Sequence, residues 1–175
     1  MSFEADARAE RELIISFIDL STFTRDASHR EEAVIAETMD AYYERVAHHA
    51  ATAAGIAVKF IGDGALLVFP TERADDAVRA LLALRDDVDA WMARECWVSR
   101  LMVKAHTGKV VAGGFGPRGA KRFDVIGNVV NTTARLPRPF HVTPQLFRLL
   151  SPDARRRFKK HTPPVTYIPT EDGHG

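Results

Sequence analysis

The first half of the chain alternates apolar runs of strand length with amphipathic stretches of helical period. The run LIISFIDL (13–20) is continuous and apolar, which is typical of a central strand buried on both faces. A long amphipathic helix follows, with Ser28 and Glu31 as the expected capping box and Gly55 as the expected end. The strand-like runs IAVKFI and ALLVF then flank a Gly-Asp-Gly turn at 62–64, which predicts a tight hairpin.

The second half predicts one more long helix and then mostly strands. The helix covers about Thr71 to Arg94, and the segment SRLMVKAHTGKVVAGGFG predicts a strand, a turn at Thr107-Gly108 and another strand. GPRGA is the expected tip of a hairpin whose return strand is KRFDVI. A short helix capped by Asn128, another over 144–150 and a final hairpin through FKKHTPPVTYI complete the prediction.

The order of these elements predicts the fold class. Strand, helix, strand, strand, helix, strand is the order of an α+β fold with a ferredoxin-like βαββαβ core, here with extra C-terminal strands. Two helices would cover one face of a mainly antiparallel sheet. A length of 175 residues suits one domain, for which we expect residues 11–170, with a flexible lead-in over 1–10 and a flexible tail over 171–175.

Composition and charge narrow the class of protein. With 46% hydrophobic and 27% charged residues the chain has a globular balance, and a net charge of +1 gives no reason to expect binding to a nucleic-acid polymer. The single cysteine, Cys96, excludes an internal disulfide framework. No apolar stretch reaches the roughly 18 residues that a membrane span needs, and the charged start is unlike a signal peptide, so we expect a cytoplasmic location.

Two carboxylates are the first candidates for chemistry. Asp19 ends the first strand and Asp63 is at the tip of the following hairpin. If those strands are neighbours, both carboxylates project from one edge, where they suit Mg²⁺ or Mn²⁺ held jointly with phosphates. Backbone amides of the turn STFT, including those of Phe23 and Thr24, are placed to cradle phosphate oxygens. The alternative is that Asp63 is a turn residue and Asp19 a helix-entry residue.

Four segments, in order and at matching spacing, resemble the catalytic domain of class III nucleotidyl cyclases. They are FIDLSTFT, VKFIGDGALLVF, AHTGKVVAGGFG and RFDVIGNVVNTTARL, and the resemblance covers roughly residues 12–168. It implies the class III cyclase fold and two divalent cations, Mg²⁺ or Mn²⁺, held by Asp19, Asp63 and the Leu20 backbone. It also implies in-line attack of the ribose 3′-hydroxyl on the α-phosphate of a nucleoside triphosphate, with pyrophosphate as the leaving group.

The resemblance also implies roles for five further residues. Asn131 and Arg135, spaced i, i+4 on a helix, match a transition-state pair, in which Asn131 orients the ribose and Arg135 neutralises charge on the α-phosphate. Lys59 and Asp124 match the purine-selecting positions and suit the N1 and 6-amino groups of adenine. The small Ala134 also resembles the adenylyl pattern, so ATP is the expected substrate.

Contacts to the phosphates follow the family pattern less closely. Lys159 aligns with a lysine that contacts the triphosphate, although Lys160 or a simply solvated charge is an alternative. An arginine that the family often has before the HTG turn is replaced by Met102. We expect Lys104 to substitute for it, and Arg100 is the alternative.

The remaining expectations concern the phosphate loop, one histidine and assembly. Thr22 stands where the family usually has glycine, and His106 is expected to be structural. The resemblance implies a head-to-tail homodimer with two active sites, because the aspartates of one subunit would face the base-reading and transition-state residues of the other. The alternatives are a cyclase of GTP or of a pyrimidine triphosphate, and a non-catalytic nucleotide-binding or interaction module.

Overall fold

Eight strands form one mixed sheet in the computed structural model, which describes residues 7–172. The strands are β1 (Ala9–Leu20), β2 (Ile56–Ile61), β3 (Gly64–Pro70), β4 (Leu101–Phe115), β5 (Arg122–Ile126), β6 (Phe140–Val142), β7 (Phe158–His161) and β8 (Thr166–Pro169). The helices in this part of the chain are α1 (Phe23–Ala27), α2 (Glu32–Thr52), α3 (Ala74–Arg94), α4 (Asn128–Ala134), α5 (Pro144–Leu149) and α6 (Pro152–Arg155), with a 3₁₀ turn at Thr71–Arg73 before α3. The predicted α+β class is confirmed.

Strand β1 lies at the centre of the sheet. The strand order is β2-β3-β1-β4-β6-β8-β7, and β5 pairs with β4 outside this path. Every pairing is antiparallel except that between β4 and β6. Ile14 and Ile18 of β1 belong to the apolar core on one face, while Leu13 and Ile15 belong to a second core on the other. Burial on both faces explains why this strand is a continuous apolar run.

Helices α2 and α3 cover the first face of the sheet, as the sequence predicted. Their apolar stripes, which include Tyr42, Val46, Leu81 and Met92, are fully buried in the larger core. The short helix α4 packs near β1 and β4, and its Val129 and Val130 pack against the smaller core on the opposite face. Helix α4 thus lies on the second face. Most of the candidate residues lie around it, in β5 and near the ends of β1, β2 and β3, whereas Lys159 is in β7.

The turn predicted at Thr107-Gly108 is wrong, because β4 runs through this point without interruption. Leu13 and Ile14 of β1 pair with Gly108 and Thr107 respectively, so the ladder continues across the predicted turn. A Cβ on Gly108 would lie only 2.8 Å from a methyl of Val129 in α4. The glycine therefore allows a helix to approach the strand closely, which is the other common reason for glycine in a strand.

Both predicted helix caps are displaced. Ser28 does not start α2 but ends the unpredicted helix α1, where its hydroxyl donates to the Arg25 carbonyl at 2.7 Å. Helix α2 begins at Glu32 after Glu31, with no side-chain cap. Asn128 is the first residue of α4 rather than its cap, a position that Gly127 takes.

Parts of both predicted end segments take part in the described fold. Strand β1 starts at Ala9, inside the predicted lead-in. In the predicted tail, Glu171 and Asp172 form ion pairs with Arg85 at 2.8 and 3.1 Å. The rest of those two segments, 1–6 and 173–175, lies outside the described residues. Over residues 7–172, none of the helices combines the length and apolar character needed to cross a membrane.

Candidate functional site

Asp19 and Asp63 lie at one edge of the sheet. Strands β1 and β3 are hydrogen-bonded neighbours, with Ile18 opposite Ala65, so the end of β1 meets the turn before β3. A Cβ on Gly64 would lie 3.3 Å from the Ile18 carbonyl oxygen and 3.9 Å from the Asp19 Cβ, which shows how closely the turn approaches the end of β1. These are the neighbouring strands that the sequence argument required.

The charges at this edge favour a cation. Burial raises the pKa of the Asp63 carboxyl, and the negative charge of Asp19 raises it further, although backbone N–H groups of Asp63 and Leu20 oppose the shift. The Tyr42 hydroxyl is fully buried beside them; burial first, and then the charges of Asp63 and Asp19, raise its pKa. Two carboxylates that raise the pKa of neighbouring acidic groups form a site that a positive ion stabilises.

The donor set fits a hard divalent cation that keeps other ligands. Within residues 7–172 no three histidine, cysteine or acidic side chains are grouped so that they could hold a metal by themselves. Two carboxylates and the nearby Leu20 carbonyl are oxygen ligands of the kind that Mg²⁺ and Mn²⁺ prefer when phosphates and water complete the shell. The residues present therefore fit a metal that is held jointly with a phosphate ligand.

The sequence argument missed Arg138, whose guanidinium forms an ion pair with Asp19. Arg138 lies in the connection between α4 and β6, and the pair joins residues 119 positions apart in the chain. A basic residue between two prolines in RLPRPF is a weak signal, and no local pattern connects it to the end of β1.

Lys59 and Asp124 meet across two strands. A bulge between Ala57 and Lys59 changes the register of β2 at this point, and Asp124 is held in β5 opposite Gly113. The Lys59 Nζ lies 2.6 Å from the Asp124 Oδ2, while the other carboxylate oxygen accepts the Val125 N–H at 2.8 Å. The pair lines an open cavity of about 620 Å³, a volume within the usual range of small-molecule sites.

Asn131 and Arg135 project from α4 into solvent. The helix ends at Ala134, and Arg135 is the residue that follows it, still in helical conformation. Both residues are exposed, and neither side chain forms a hydrogen bond or ion pair with any other residue that the structure describes. Asn131 lines a cavity with residues 125–128, apart from the cavity that contains Asp19.

Lys104, rather than Arg100, lies on the side of Asp19. The Lys104 Nζ donates to the Ala134 carbonyl at 3.0 Å, and the two residues line a cavity of about 210 Å³ together with Asp19. The Arg100 guanidinium donates instead to the Asp89 carbonyl of α3 at 3.0 Å. Met102 is directly opposite Asp19 in the β1–β4 pair.

The STFT turn lies beside Asp63. Thr22 has a φ of 60°, a left-handed conformation that a β-branched residue rarely adopts and glycine adopts easily. Phe23 is buried and stacks on Trp97 with ring centroids 5.1 Å apart, which fixes the start of α1. Thr24 and Asp63 line the same groove of about 540 Å³, and the Tyr43 hydroxyl donates to the Gly62 carbonyl at 2.8 Å, holding the turn.

Lys159 lies apart from these groups within one chain. It is in β7, at the end of the sheet order opposite to β2, and its Nζ donates to the Thr170 carbonyl of its own hairpin at 3.2 Å. Lys160 is exposed on the same strand. The structure therefore brings Asp19 close to Asp63, Lys59 to Asp124, and Lys104 to Ala134, but it does not bring Lys159 to the aspartates of its own chain.

Comparison with known proteins agrees with these features. The sequence matches the family described as the adenylate and guanylate cyclase catalytic domain over residues 6–161. The uncharacterized protein Rv1318c of Mycobacterium tuberculosis is 29% identical over 129 residues, which are 73% of this chain and 24% of that protein. The chain thus spans about a quarter of the length of the curated relatives that it matches.

Solved structures share the fold. A bacterial light-regulated adenylyl cyclase superposes with a TM-score of 0.83 at 20% identity, over 95% of this chain and 54% of that one. The guanylyl cyclase Cya2 superposes with a TM-score of 0.75 at 18% identity, over 89% of this chain and 84% of that one. Proteins named as adenylyl and as guanylyl cyclases therefore both have this architecture.

Proposed function

The chain belongs to the adenylate and guanylate cyclase catalytic domain family, and we propose that it is an adenylyl cyclase that acts in the cytoplasm. It converts ATP to 3′,5′-cyclic AMP and pyrophosphate, with two divalent cations as cofactors. A bond forms between the ribose 3′-oxygen and the α-phosphorus. The bond between the α-phosphorus and the oxygen that bridges it to the β-phosphate breaks, and pyrophosphate is released.

One observation carries the choice of ATP: the ion pair between Lys59 and Asp124 at 2.6 Å, which lines a cavity large enough to hold a purine. Adenine has an acceptor at N1 and a donor at its 6-amino group, which match a lysine and a carboxylate. Guanine has a donor at N1 and an acceptor at O6, so both groups would face the wrong partner. A site built for hydrogen bonds rejects such a mismatch strongly, because polar groups are left unpaired.

Asp19, Asp63 and the Leu20 carbonyl are proposed to hold the cations. When bound there, two divalent ions supply a lower pKa for the ribose 3′-hydroxyl and positive charge for the triphosphate. The chain's own part is to keep both carboxylates ionised and close together at the end of β1. Backbone N–H groups that bond the Asp63 carboxylate, and the positive charge of Arg138, oppose its protonation and help to do so.

Asn131 and Arg135 are proposed to act on the reacting atoms. The Asn131 amide orients the ribose, and the Arg135 guanidinium neutralises the charge that develops on the α-phosphate. The exposure of both side chains, and their lack of partners among residues 7–172, support this assignment because they are available to a ligand.

The triphosphate is proposed to contact residues from three parts of the chain. These are the backbone amides of Phe23 and Thr24, the Lys104 ammonium and the Lys159 ammonium. Lys104 is supported by its place beside Asp19, and Phe23 and Thr24 by the groove that the turn shares with Asp63. Ala134 is proposed as the small residue that leaves room for adenine.

We further propose that two copies form a head-to-tail homodimer with two active sites. Support comes from the separation of the groups within one chain: Asn131 and the aspartates line different cavities, and Lys159 is remote from Asp19 and Asp63. A twofold partner that supplies the missing groups would complete each site.

The test is a product assay with the purified chain. Each of the four nucleoside triphosphates is incubated with Mg²⁺ or Mn²⁺, and pyrophosphate and cyclic nucleotide are both measured. We expect equal amounts of pyrophosphate and cyclic AMP from ATP, and little product from the others. Cyclic GMP as the main product would overturn the base assignment, and no product from any nucleotide would identify a non-catalytic module.

A further inference from the structure

Arg138 has an anchored backbone and an exposed side chain that pairs with Asp19. The carbonyl of the next residue, Pro139, accepts the N–H of Val103 in β4 at 2.8 Å. The carbonyl of Arg138 itself lies 3.2 Å from the Nε2 of His141 in β6. The backbone that follows the Arg138 Cα is therefore anchored to the sheet. The Arg138 side chain is 56% exposed and can turn about its own bonds.

The Arg138 guanidinium supplies a positive charge near Asp19 that Met102, the strand residue opposite Asp19, does not have. Directly opposite residues of an antiparallel pair project to the same face, so Met102 shares a face with Asp19. Met102 is 8% exposed and carries no charge. Arg138 reaches the same carboxylate from the neighbouring connection and places a positive charge where the strand has none.

This charge is left without an anion once a divalent cation binds Asp19. Among residues 7–172, Asp19 is the acidic side chain with which Arg138 forms an ion pair. A divalent ion on that carboxylate uses the same oxygens and repels a guanidinium beside it. Lys104, on the same side of the sheet, adds a further positive charge. Positive charge from Arg138, Lys104 and a bound metal together would favour an anion that enters with the metal.

We infer that Arg138 is a substrate-binding residue, which leaves Asp19 and binds the triphosphate when the nucleotide and its metal enter. This inference rests on the proposed function. The planar guanidinium matches two phosphate oxygens at once, which the thioether of Met102 cannot do. The ion pair with Asp19 then holds the Arg138 side chain close to the place where the phosphates of the substrate bind.

A role of Arg138 in blocking the metal would give different binding results from a role in binding phosphate. If the ion pair instead blocked the metal, removing Arg138 would strengthen metal binding, increase activity and leave nucleotide affinity unchanged. If Arg138 binds phosphate, its removal weakens nucleotide affinity whether or not the metal site changes. Binding measurements on the two ligands therefore separate the roles without relying on turnover.

The experiment compares the wild type with Arg138→Met and Arg138→Lys. Calorimetry measures a non-reacting ATP analogue in the presence of Mg²⁺, and electron paramagnetic resonance measures Mn²⁺ without nucleotide. For Arg138→Met we expect about 10- to 100-fold weaker analogue binding, the size of a lost charge-assisted hydrogen bond, and Mn²⁺ binding that is unchanged or tighter. Arg138→Lys should bind the analogue more tightly than Arg138→Met but less tightly than the wild type. Lysine keeps the charge but lacks the planar guanidinium that binds two oxygens at once.

Two further variants make the test specific. Met102→Arg in the Arg138→Met background should restore analogue binding, because residue 102 faces Asp19 in the strand register. Arg100→Met is the matched control, since its guanidinium is directed to the Asp89 carbonyl and its loss should not change analogue binding. Thermal unfolding of each variant verifies that it is folded.

Unchanged analogue affinity in folded Arg138→Met would overturn the inference, and so would a gain of activity with tighter Mn²⁺ binding alone. A wild type that binds only a guanosine analogue would overturn the choice of ATP, and the same comparison with that analogue would still test Arg138. A wild type that binds no triphosphate would overturn both proposals.

Discussion

The Lys59 ammonium and the Asp124 carboxylate are 65 positions apart in sequence and 2.6 Å apart in space. Each charge neutralises the other in this ion pair. In the proposed function, a purine that enters between them replaces both interactions, which requires an acceptor next to a donor in the right order. The same two charges that stabilise each other would then select the base.

Reversing this pair should abolish the preference for ATP without unfolding the chain. Lys59→Glu together with Asp124→Lys retains two opposite charges but exchanges donor and acceptor. We expect kcat/KM for ATP to fall about 100-fold or more, since two charge-assisted hydrogen bonds are lost. The measurement is cyclic nucleotide formation from ATP and GTP.

A matched control is available on the same sheet. Glu10 and Lys109 form an exposed ion pair at 3.0 Å between β1 and β4. Reversing this pair in the same way should change ATP turnover less than about twofold, because exposed ion pairs contribute little. Equal losses in the two reversed proteins would mean that strand pairing, rather than base recognition, explains the effect.

Asp63→Asn should make the metal-free protein more stable while abolishing metal-dependent activity. Burial and the charge of Asp19 raise the pKa of the Asp63 carboxyl, so its ionised form is disfavoured in the folded state. Above the ordinary pKa of 3.8 this ionisation reduces stability, and asparagine avoids the loss. The gain should be present at pH 7.5 in EDTA and should shrink as the pH falls and Asp63 is protonated.

Urea unfolding with EDTA and with Mn²⁺ measures this effect. Mn²⁺ should stabilise the wild type and not the variant, because only the wild type retains both carboxylates. Asp153→Asn is the control: this carboxylate is 81% exposed and pairs with Arg156 far from the site. A wild type that is as stable as Asp63→Asn in EDTA at pH 7.5 would contradict the electrostatic account.

Complementation between two inactive variants should restore activity if the sites are shared. Asp19→Ala removes a proposed metal ligand and Asn131→Ala removes a proposed transition-state group, so a mixed head-to-tail dimer would keep one intact site. Random mixing of equal amounts makes half of the dimers mixed, which predicts about a quarter of the wild-type activity. The measurement is pyrophosphate release after co-refolding or co-expression.

The control for complementation pairs two defects in the same half-site. Asp19→Ala mixed with Asp63→Ala should recover nothing, since every site then lacks a metal ligand. Activity in this control, or none in the first mixture at any ratio, would exclude the proposed head-to-tail arrangement.

Sequence patterns predicted the strand, the turn and the helices that interactions between residues close in sequence determine. The apolar run before Asp19, the Gly-Asp-Gly turn around Asp63 and the two long helices are all found as expected. Periodicity and turn chemistry act over a few residues, so a single sequence contains them. The relative placement of Asp19 and Asp63 then followed from the pairing of two adjacent strands.

Features that depend on residues far apart in sequence could not be predicted from local sequence patterns. Gly108 is read locally as a turn, but its role is set by Val129, which approaches from another element. The ion pair of Arg138 with Asp19 spans 119 positions, and neither residue has a neighbour that predicts it. Glycine and arginine each serve several purposes, and only the tertiary fold selects among them.

Two buried histidines should make the protein less stable as the pH falls below about 6.5. Burial lowers the pKa of both His106 and His141 from the ordinary value of 6.5, and for His141 the charges of His161 and Lys104 lower it further, against a hydrogen bond to the Arg138 carbonyl that raises it. Their Nδ1 atoms lie 2.8 Å from the hydroxyls of Thr143 and Thr166 rather than from a carboxylate.

The direction of this pH effect follows from the number of protons that the folded and the unfolded states bind. Well above the ordinary pKa both states are neutral, and the histidines do not make the stability depend on pH. Below it the unfolded chain takes up protons that the folded chain resists, so the free energy of unfolding decreases. Urea unfolding at pH 7.5 and 5.5 should show the decrease, and His106→Gln should reduce it, whereas the exposed His48→Gln should not. An equal effect of the two substitutions on the pH dependence would show that burial of His106 is not its cause.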